Sequence, residues 1–119
     1  LGGLIVTMPH KAAILALADD ATPVARKIGA ANVVRREADG RLVAHMLDGE
    51  GFVRGLRTNG VAPEGKSAYL AGAGGAANAI GFALVQAGVA RQGLGPEGSH
   101  PVAASRGRYH GRHGRSVGP

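Results

Sequence analysis

The feature that most constrains this chain is a glycine-rich stretch between two apolar segments. The short apolar run Ser67–Ala71 comes first and is typical of a strand. An alanine-rich segment follows the glycines, and its apolar residues fall on one helical stripe: Ala76, Ile80, Ala83, Leu84 and Ala87. The order strand, glycine turn and helix predicts a βα unit.

The glycine-rich stretch has a physical use in ligand binding. It consists of Gly72, Ala73, Gly74, Gly75 and Ala76, and with the next alanine it forms the pattern GxGxxA. Such glycines permit a tight turn and the close approach of a pyrophosphate, which the N–H groups at the helix start would bind. From the pattern alone two interpretations stay open: a dinucleotide-binding loop, or a tight βα turn without a ligand.

Composition excludes several classes of protein. Cysteine is absent, which rules out a disulfide framework and a thiolate metal site. The apolar start Leu1–Val6 has no basic leader and is soon interrupted by Pro9, so we expect no signal peptide and no membrane span. We therefore expect a cytoplasmic protein, and, because the chain begins at Leu1 rather than Met, a fragment of a longer one.

The net charge of +6 raises the question of nucleic-acid binding. Residues 1–90 hold nine Lys/Arg against seven Asp/Glu, whereas residues 91–119 hold five Arg against one Glu. Most of the basicity thus lies in the tail, and the first ninety residues offer no aromatic platform on which bases could stack. A nucleic-acid partner is therefore disfavoured.

The first part of the chain predicts short strands and helices. The continuous apolar run Leu4–Thr7 predicts a buried strand of the kind found in parallel sheets. Lys11–Ala18 predicts a helix, with Pro9 in its first turn. A second short helix is expected between Thr22, as its N-cap, and Gly29.

A hairpin and a longer helix are expected next. Ala31–Val34 and Leu42–Ala44 flank the turn dipeptide Asp39-Gly40, which predicts two antiparallel strands joined by a turn of more than two residues. Gly49–Asn59 then predicts a helix. Its inward-facing residues are expected to be Phe52, Val53 and Leu56.

Two changes in composition suggest boundaries in the second half. The linker Val61–Gly65 contains a proline and predicts a boundary between domains at residues 1–60 and 61–90. Residues 91–119 are rich in Gly, Arg and His and hold too few apolar side chains to offset the entropy cost of ordering their backbone. We expect this tail to be disordered, and Arg91–Pro96 does not predict a strand.

Four motifs together resemble the shikimate dehydrogenase family, with its quinate/shikimate relatives. In chain order they are Val6–Lys11, Ile28–Asn32, Asp48–Phe52 and Gly72–Ala76. The resemblance covers residues 3–90 and implies an α/β fold. It implies a partial substrate-binding and catalytic domain at residues 1–60, followed at 61–90 by the first βα unit of a Rossmann-type NAD(P)-binding domain.

The resemblance also implies roles for individual residues. Lys11 matches a catalytic lysine that exchanges a proton with the substrate hydroxyl, and Asp48 matches the aspartate that orients it. Thr7 and Asn32 match residues that bind the substrate ring, and Gly72–Ala76 matches the diphosphate loop of a site for NADP or NAD. The implied reaction is reversible hydride transfer between NADP(H) and 3-dehydroshikimate/shikimate, or a related hydroxy-cyclohexene carboxylate, in aromatic amino-acid biosynthesis.

Taken singly, these residues have plainer interpretations. Lys11 could be a solvated charge after a turn, Asp48 the N-cap of its helix, and Asn32 an edge residue that satisfies backbone groups. The tail histidines, which are His100, His110 and His113, have no companion at a metal-ligand spacing and predict no metal site.

Two positions depart from the pattern of the family. Ile5 and Met46 stand where many members have asparagine, and both changes would make the substrate pocket more apolar. The strand whose serines hold the substrate carboxylate in the family would precede Leu1. The exact substrate therefore stays open, as do the choice between NAD and NADP and the oligomeric state.

Three alternatives to an active shikimate dehydrogenase remain. The fragment itself could be inactive, and this is what we expect of the 119-residue chain alone. A methylenetetrahydrofolate dehydrogenase-like relative would share a lysine and a glycine loop, although Asp48-Gly49 and Ala31-Asn32 disfavour it. A basic nucleic-acid-binding module would depend on the tail, residues 91–119.

The tail also suggests an error in the reading frame. After Ala90 the family continues into a second strand that ends in an arginine motif for the 2′-phosphate of NADP, whereas this chain continues Arg91-Gln92-Gly93. We expect that translating the source DNA in the other two frames restores such a strand and further βα units. If neither frame does so, the frameshift hypothesis is wrong.

Overall fold

The structure is a computed structural model that describes residues 1–95, 109–110 and 116–117. By its internal contacts the chain separates into two units, unit 1 at Leu1–Leu47 and unit 2 at Asp48–Pro119. The elements of unit 1 are β1 (Gly3–Ile5), α1 (Ile14–Leu17), β2 (Asp20–Ala21), α2 (Pro23–Ile28), β3 (Val33–Arg36) and β4 (Leu42–His45). Those of unit 2 are α3 (Asp48–Thr58), β5 (Ser67–Ala71), α4 (Gly75–Gln86), β6 (Arg91–Gly95), β7 (Tyr109–His110) and β8 (Ser116–Val117). Helices combine with strands that pair both in parallel and in antiparallel fashion, which confirms the α/β class.

The sheet of unit 1 is built around the predicted hairpin. Its strand order is β1-β3-β4-β2, and β3 pairs with β4 in antiparallel register from Val33↔His45 to Arg36↔Leu42. The N–H of Glu37 donates to the carbonyl of Arg41 at 2.8 Å, and Gly40 adopts a positive φ of 89°. A three-residue loop with a left-handed glycine is a common hairpin turn. The prediction of a turn longer than two residues is confirmed.

The prediction for the first strand is only partly right. β1 overlaps the predicted Leu4–Thr7 but ends at Ile5, and it pairs with β3 in antiparallel fashion rather than in a parallel sheet. Its side chains are not buried, since Leu4 is 44% and Ile5 84% exposed. A continuous apolar run reports the residue types but not the direction of the neighbouring strand, and among the described residues β3 is the one neighbour of β1.

The first helix is shorter than predicted. It covers four residues, and Pro9 lies in the turn before it rather than in its first turn. In that turn the Met8–Pro9 peptide bond is cis, and the N–H of His10 donates to the carbonyl of Thr7 at 2.9 Å. The turn extends over residues 11–13, which the apolar spacing had assigned to the helix.

The second helix begins and ends as predicted. Its N-cap Thr22 accepts a hydrogen bond at Oγ1 from the N–H of Ala25 at 3.3 Å, and its C-cap Gly29 has φ 75°. Just before it lies β2, a strand that the sequence did not predict. β2 forms because Asp20 and Ala21 pair in parallel with β4, which is a tertiary contact without a local signal.

Unit 2 contains a βαβ arrangement. β5, the glycine loop and α4 lie where they were predicted, and β6 then returns parallel to β5 from Ser67↔Arg91 to Ala71↔Gly95. The prediction that residues 91–96 form no strand is therefore wrong for Arg91–Gly95. Backbone pairing with β5 creates β6, although its residue types favour strands weakly.

The remaining tail is described in part. β7 and β8 pair in antiparallel fashion, with Tyr109↔Val117 and His110↔Ser116, so the predicted disorder is wrong at these two backbone segments. The prediction for residues 96–108, 111–115 and 118–119 lies outside the described residues.

One side chain in β6 is both polar and buried. Gln92 is 8% exposed, and both its amide nitrogen and its amide oxygen lack a hydrogen-bond partner among the described residues. Gln92 lies opposite Ala68, which packs against the core of unit 2. Burying an unpaired amide costs on the order of 1–3 kcal/mol, and an apolar residue would avoid that cost.

The core of unit 2 joins α3, α4 and β5. It consists of Val53, Leu70, Leu84 and Val89, with partly buried residues packed around it: Leu56, Ala68, Ala77, Ile80, Ala83 and Ala87. Two expectations for the helix faces are wrong, because Phe52 is 41% exposed and Ala76 is exposed. Within α4, Ala77 rather than Ala76 packs against the core.

Helix α3 ends as its glycine predicts. Gly60 has φ 78°, its N–H donates to the carbonyl of Arg57 at 3.0 Å, and the N–H of Val61 donates to the carbonyl of Leu56 at 2.9 Å. These two bonds form a Schellman motif. On its surface, Glu50 pairs with Arg54 at 2.6 Å, an exposed bridge worth a few tenths of a kcal/mol.

The first turn of α3 packs tightly against α4. A Cβ built on Gly49 would lie 2.2 Å from the carbonyl oxygen of Ala79 and 2.8 Å from the Cβ of Ala83. This contact joins α3 to α4 within unit 2, and the unit boundary falls between Leu47 and Asp48. The assignment of residues 1–60 and 61–90 to two functional domains stays a prediction.

A cluster of charges links α2, β2 and the residue just before β4. One carboxylate oxygen of Asp20 accepts from the N–H of Ala21 at 2.7 Å and pairs with Arg26, and the other accepts from Arg41 at 3.1 Å. The hydrogen bond from the Ala21 N–H, followed by that from Arg26, lowers the pKa of Asp20 below its ordinary value of 3.8.

Among the helices of the described residues, none is long and apolar enough to cross a membrane.

Gly49→Ala is expected to destabilise the chain by about 1–3 kcal/mol, because the new methyl group meets backbone that cannot move aside. Gly55→Ala in the same helix is the matched control, since nothing lies within 4 Å of a Cβ at that position. It is expected to stabilise the chain by about 0.5–1 kcal/mol through helix propensity. Urea unfolding of both variants tests the contact, and equal effects would contradict it.

Asp20→Asn is expected to lower stability at neutral pH and to have less effect in acid. A carboxyl whose pKa is depressed in the folded state stabilises the fold above its unfolded value of 3.8, and this contribution is lost as the pH falls through the folded pKa. Thermal unfolding at pH 7 and pH 2.5 measures both. Because the group is exposed, we expect a small difference, and a difference independent of pH would contradict the assignment.

Candidate functional site

Unit 1 brings three of the predicted site residues together. The N–H of Val6 donates to the carbonyl of Asn32 at 2.7 Å, and the N–H of Ala31 donates to the carbonyl of Lys11 at 2.7 Å. The segment that carries Thr7 and Lys11 therefore lies alongside the segment that carries Asn32. Thr7 is exposed and Lys11 half-buried. The turn between them holds both residues at the end of β1.

Asn32 also anchors the end of β4. Its Oδ1 accepts a hydrogen bond from the N–H of Leu47 at 2.8 Å, and its own N–H donates to the carbonyl of His45 at 3.0 Å. The side chain therefore does satisfy a backbone group, as the plainer interpretation of this residue expected. The sequence offered no signal for the contact with Leu47, because the two residues are far apart in the chain.

The two departures from the family pattern have different surroundings. Ile5 has its side chain exposed, and its strand partner is Val33, which directly follows Asn32. Met46 is 4% exposed and belongs to the buried residues. Of the two, Ile5 is therefore the one whose apolar side chain is exposed.

Asp48 belongs to unit 2. It is the first residue of α3 and half-buried, and Glu50 is the other acidic residue in the first turn. Carboxylates are favourable there because the helix dipole presents its positive end. The predicted pair of Lys11 and Asp48 is thus divided between the two units.

The glycine loop is uncrowded, and its conformation depends on glycine. Gly72 adopts φ 113°, a conformation that favours glycine, and a Cβ at Gly72 or Gly74 would meet nothing within 4 Å. α4 has no hydrogen bond from a side chain at its N-cap Gly74, and the first turn is closed by the N–H of Asn78 to the Gly74 carbonyl at 3.0 Å. Open space before backbone N–H groups fits an anionic group.

The sequence overlooked one feature of this loop's surroundings. Gly49 follows the predicted catalytic Asp48, and its contact with Ala79 ties the start of α3 to α4. The signal for this contact was the glycine itself, since a glycine in the first turn of a helix allows a neighbouring backbone to approach closely. Of the histidines predicted to bind no metal, His100 and His113 lie outside the described residues.

Comparison with known proteins identifies the lineage of the matched part. Residues 1–34 match the family model for the shikimate dehydrogenase substrate binding domain. Shikimate dehydrogenase (NADP(+)) of Symbiobacterium thermophilum is 46% identical over 89 residues, which are 75% of this chain and 30% of that protein. The chain therefore spans about a third of the length of such relatives.

Solved structures agree with the sequence match. Shikimate 5-dehydrogenase from Thermus thermophilus, solved with NADP(H) and shikimate, is 37% identical with a TM-score of 0.71, covering 79% of this chain and 35% of that one. The 5-ketofructose reductase of Gluconobacter sp. strain CHM43 is 42% identical with a TM-score of 0.69, covering 78% and 33%. The part of the chain that these comparisons match belongs to the shikimate dehydrogenase family.

Proposed function

We propose that this chain is part of an NADP(H)- or NAD(H)-dependent dehydrogenase that acts on shikimate or a related hydroxylated cyclohexene carboxylate. The observation that carries the proposal is the pairing of the Val6–Lys11 segment with Ala31 and Asn32. It gathers a candidate proton carrier and two candidate substrate-binding residues at the end of one strand. The relatives named above support the same chemistry.

The proposed chemistry of unit 1 is proton transfer. Oxidising a secondary alcohol requires a group near the hydroxyl that takes its proton while hydride leaves the carbon, and reduction requires the reverse. Lys11 has this role in the proposal: its amine takes the proton from the hydroxyl during oxidation and returns it during reduction. Asp48 orients that amine and the hydroxyl, and Thr7 and Asn32 hydrogen-bond the ring.

The proposed role of unit 2 is to hold the dinucleotide. Gly72–Ala76 would hold its diphosphate, because the loop leaves open space before the uncapped start of α4. When bound, the nicotinamide ring supplies or accepts the hydride. We further propose a cytoplasmic location and no nucleic-acid partner, in keeping with the absence of cysteine and the near balance of charge in residues 1–90.

The proposal predicts that Lys11→Ala removes turnover. Because the chain spans a third of its relatives, the assay uses a chimera in which the matched residues replace their counterparts in the Symbiobacterium thermophilum enzyme. Formation of NADPH from NADP and shikimate is followed by absorbance. A proton-transferring group contributes about 10²–10⁴-fold, so we expect kcat/KM of the Lys11→Ala chimera to fall at least about 100-fold.

Lys27→Ala, which removes an exposed lysine of α2, is the matched control and is expected to keep the activity of the chimera. Circular dichroism establishes that each variant is folded. A folded Lys11→Ala chimera with unchanged kcat would contradict the role of Lys11. A folded chimera without turnover on any substrate would contradict the proposed function itself.

A different hydroxy substrate is the second candidate. Ile5, whose side chain is exposed, removes a polar group from the family pattern, and a 42% identical structure is a 5-ketofructose reductase. The same chimera is therefore assayed with shikimate, quinate and 5-ketofructose. Preference for a substrate other than shikimate, reversed by Ile5→Asn, would favour this candidate.

A further inference from the structure

We propose that Gly49 is a positioning residue that holds the carboxylate of Asp48 at a constant distance from the diphosphate loop Gly72–Ala76. The absent side chain lets the first turn of α3 lie directly on α4, so that the acid and the loop move as one body. This inference rests on the proposed function, since it assumes that the loop binds a dinucleotide and that Asp48 acts at the substrate.

The geometry at Gly49 leaves no room for any other residue. The carbonyl oxygen of Ala79 would lie 2.2 Å from a Cβ at position 49, and its carbonyl carbon 2.8 Å away. Both are backbone atoms in the second turn of α4, so they cannot rotate aside. By contrast, Gly51 and Gly55 in the same helix have nothing within 4 Å of such a Cβ. The requirement for glycine is therefore specific to position 49.

The contact point is close to the loop. Ala79 lies four residues after Gly75, the first residue of α4, and four residues rise about 6 Å along a helix. Asp48 immediately precedes Gly49. The carboxylate and the diphosphate site are therefore separated by on the order of 10 Å.

This separation has an electrostatic consequence that can be measured. At about 10 mM ionic strength the Debye length is about 30 Å, and at 1 M it is about 3 Å. A carboxylate on the order of 10 Å from a diphosphate therefore repels it in dilute salt and not in concentrated salt. Loss of that charge should strengthen dinucleotide binding at low ionic strength.

The test titrates the complete 119-residue chain with NADPH and follows the fluorescence of the reduced nicotinamide. Asp48→Asn is expected to lower the Kd about two- to fourfold at 10 mM ionic strength and to leave it unchanged at 1 M. Glu64→Gln is the matched control, because it removes the same charge next to Gly88, beyond the far end of α4. We expect a smaller change in Kd for this variant at either ionic strength.

The double variant tests the part played by Gly49. In a Gly49→Ala background that remains folded, the effect of Asp48→Asn on the Kd is expected to shrink, because α3 must shift away from α4. A purely structural role would lower stability and leave that effect intact, which would overturn the proposal. If Gly49→Ala does not fold, the single variants still decide: equal effects of Asp48→Asn and Glu64→Gln would overturn it.

Failure of the proposed function gives a different result. A folded chain that does not bind NADPH at either ionic strength overturns the nucleotide site, and this inference with it. NADPH binding without a salt-dependent effect of Asp48→Asn overturns the positioning role alone and leaves the nucleotide site in place.

Discussion

The close packing of α3 on α4 at Gly49 is the contact on which the organisation of unit 2 depends. Val53 of α3 and Leu84 of α4 share one core with Leu70 and Val89, and Leu56 of α3 packs against that core. Without that core, β5 and β6 would be a two-stranded sheet, which is marginal in water. The contact therefore stabilises the strand, loop and helix that the proposed dinucleotide site needs.

In unit 1 the β3–β4 hairpin has the corresponding role. It supplies the central strands on which β1 and β2 pair, and its buried residues Val34 and Ala44 lie opposite each other in the register. The residues just before β3 then contact the turn that follows β1. Because these contacts are backbone hydrogen bonds, the arrangement of Thr7, Lys11 and Asn32 depends on strand pairing more than on their side chains.

Signals in the sequence were reliable where a conformation depends on a few neighbouring residues, as at helix caps and turns. Thr22 caps α2, Gly29 and Gly60 end helices with positive φ, and Gly40 closes the hairpin. The glycine loop was predicted for the same reason, since Gly72 adopts a conformation that other residues avoid. Signals that depend on a neighbour were unreliable. β2 and β6 exist because β4 and β5 offer them backbone partners, and neither strand has residue types that favour it.

The same distinction between local signals and tertiary contacts applies to the candidate site. The sequence by itself determined the residue types of the site and the strand–loop–helix order that suits a diphosphate, because these follow from backbone conformation over a few residues. Only the tertiary structure decided that β1 is antiparallel and exposed at Ile5, that Met46 is buried, and that Asn32 holds the N–H of Leu47. It also decided that Gly49 must lack a side chain. The physical reason is that burial, strand direction and close approach each depend on two segments that are distant in the chain. A sequence pattern describes a single segment and does not say which other segment will contact it.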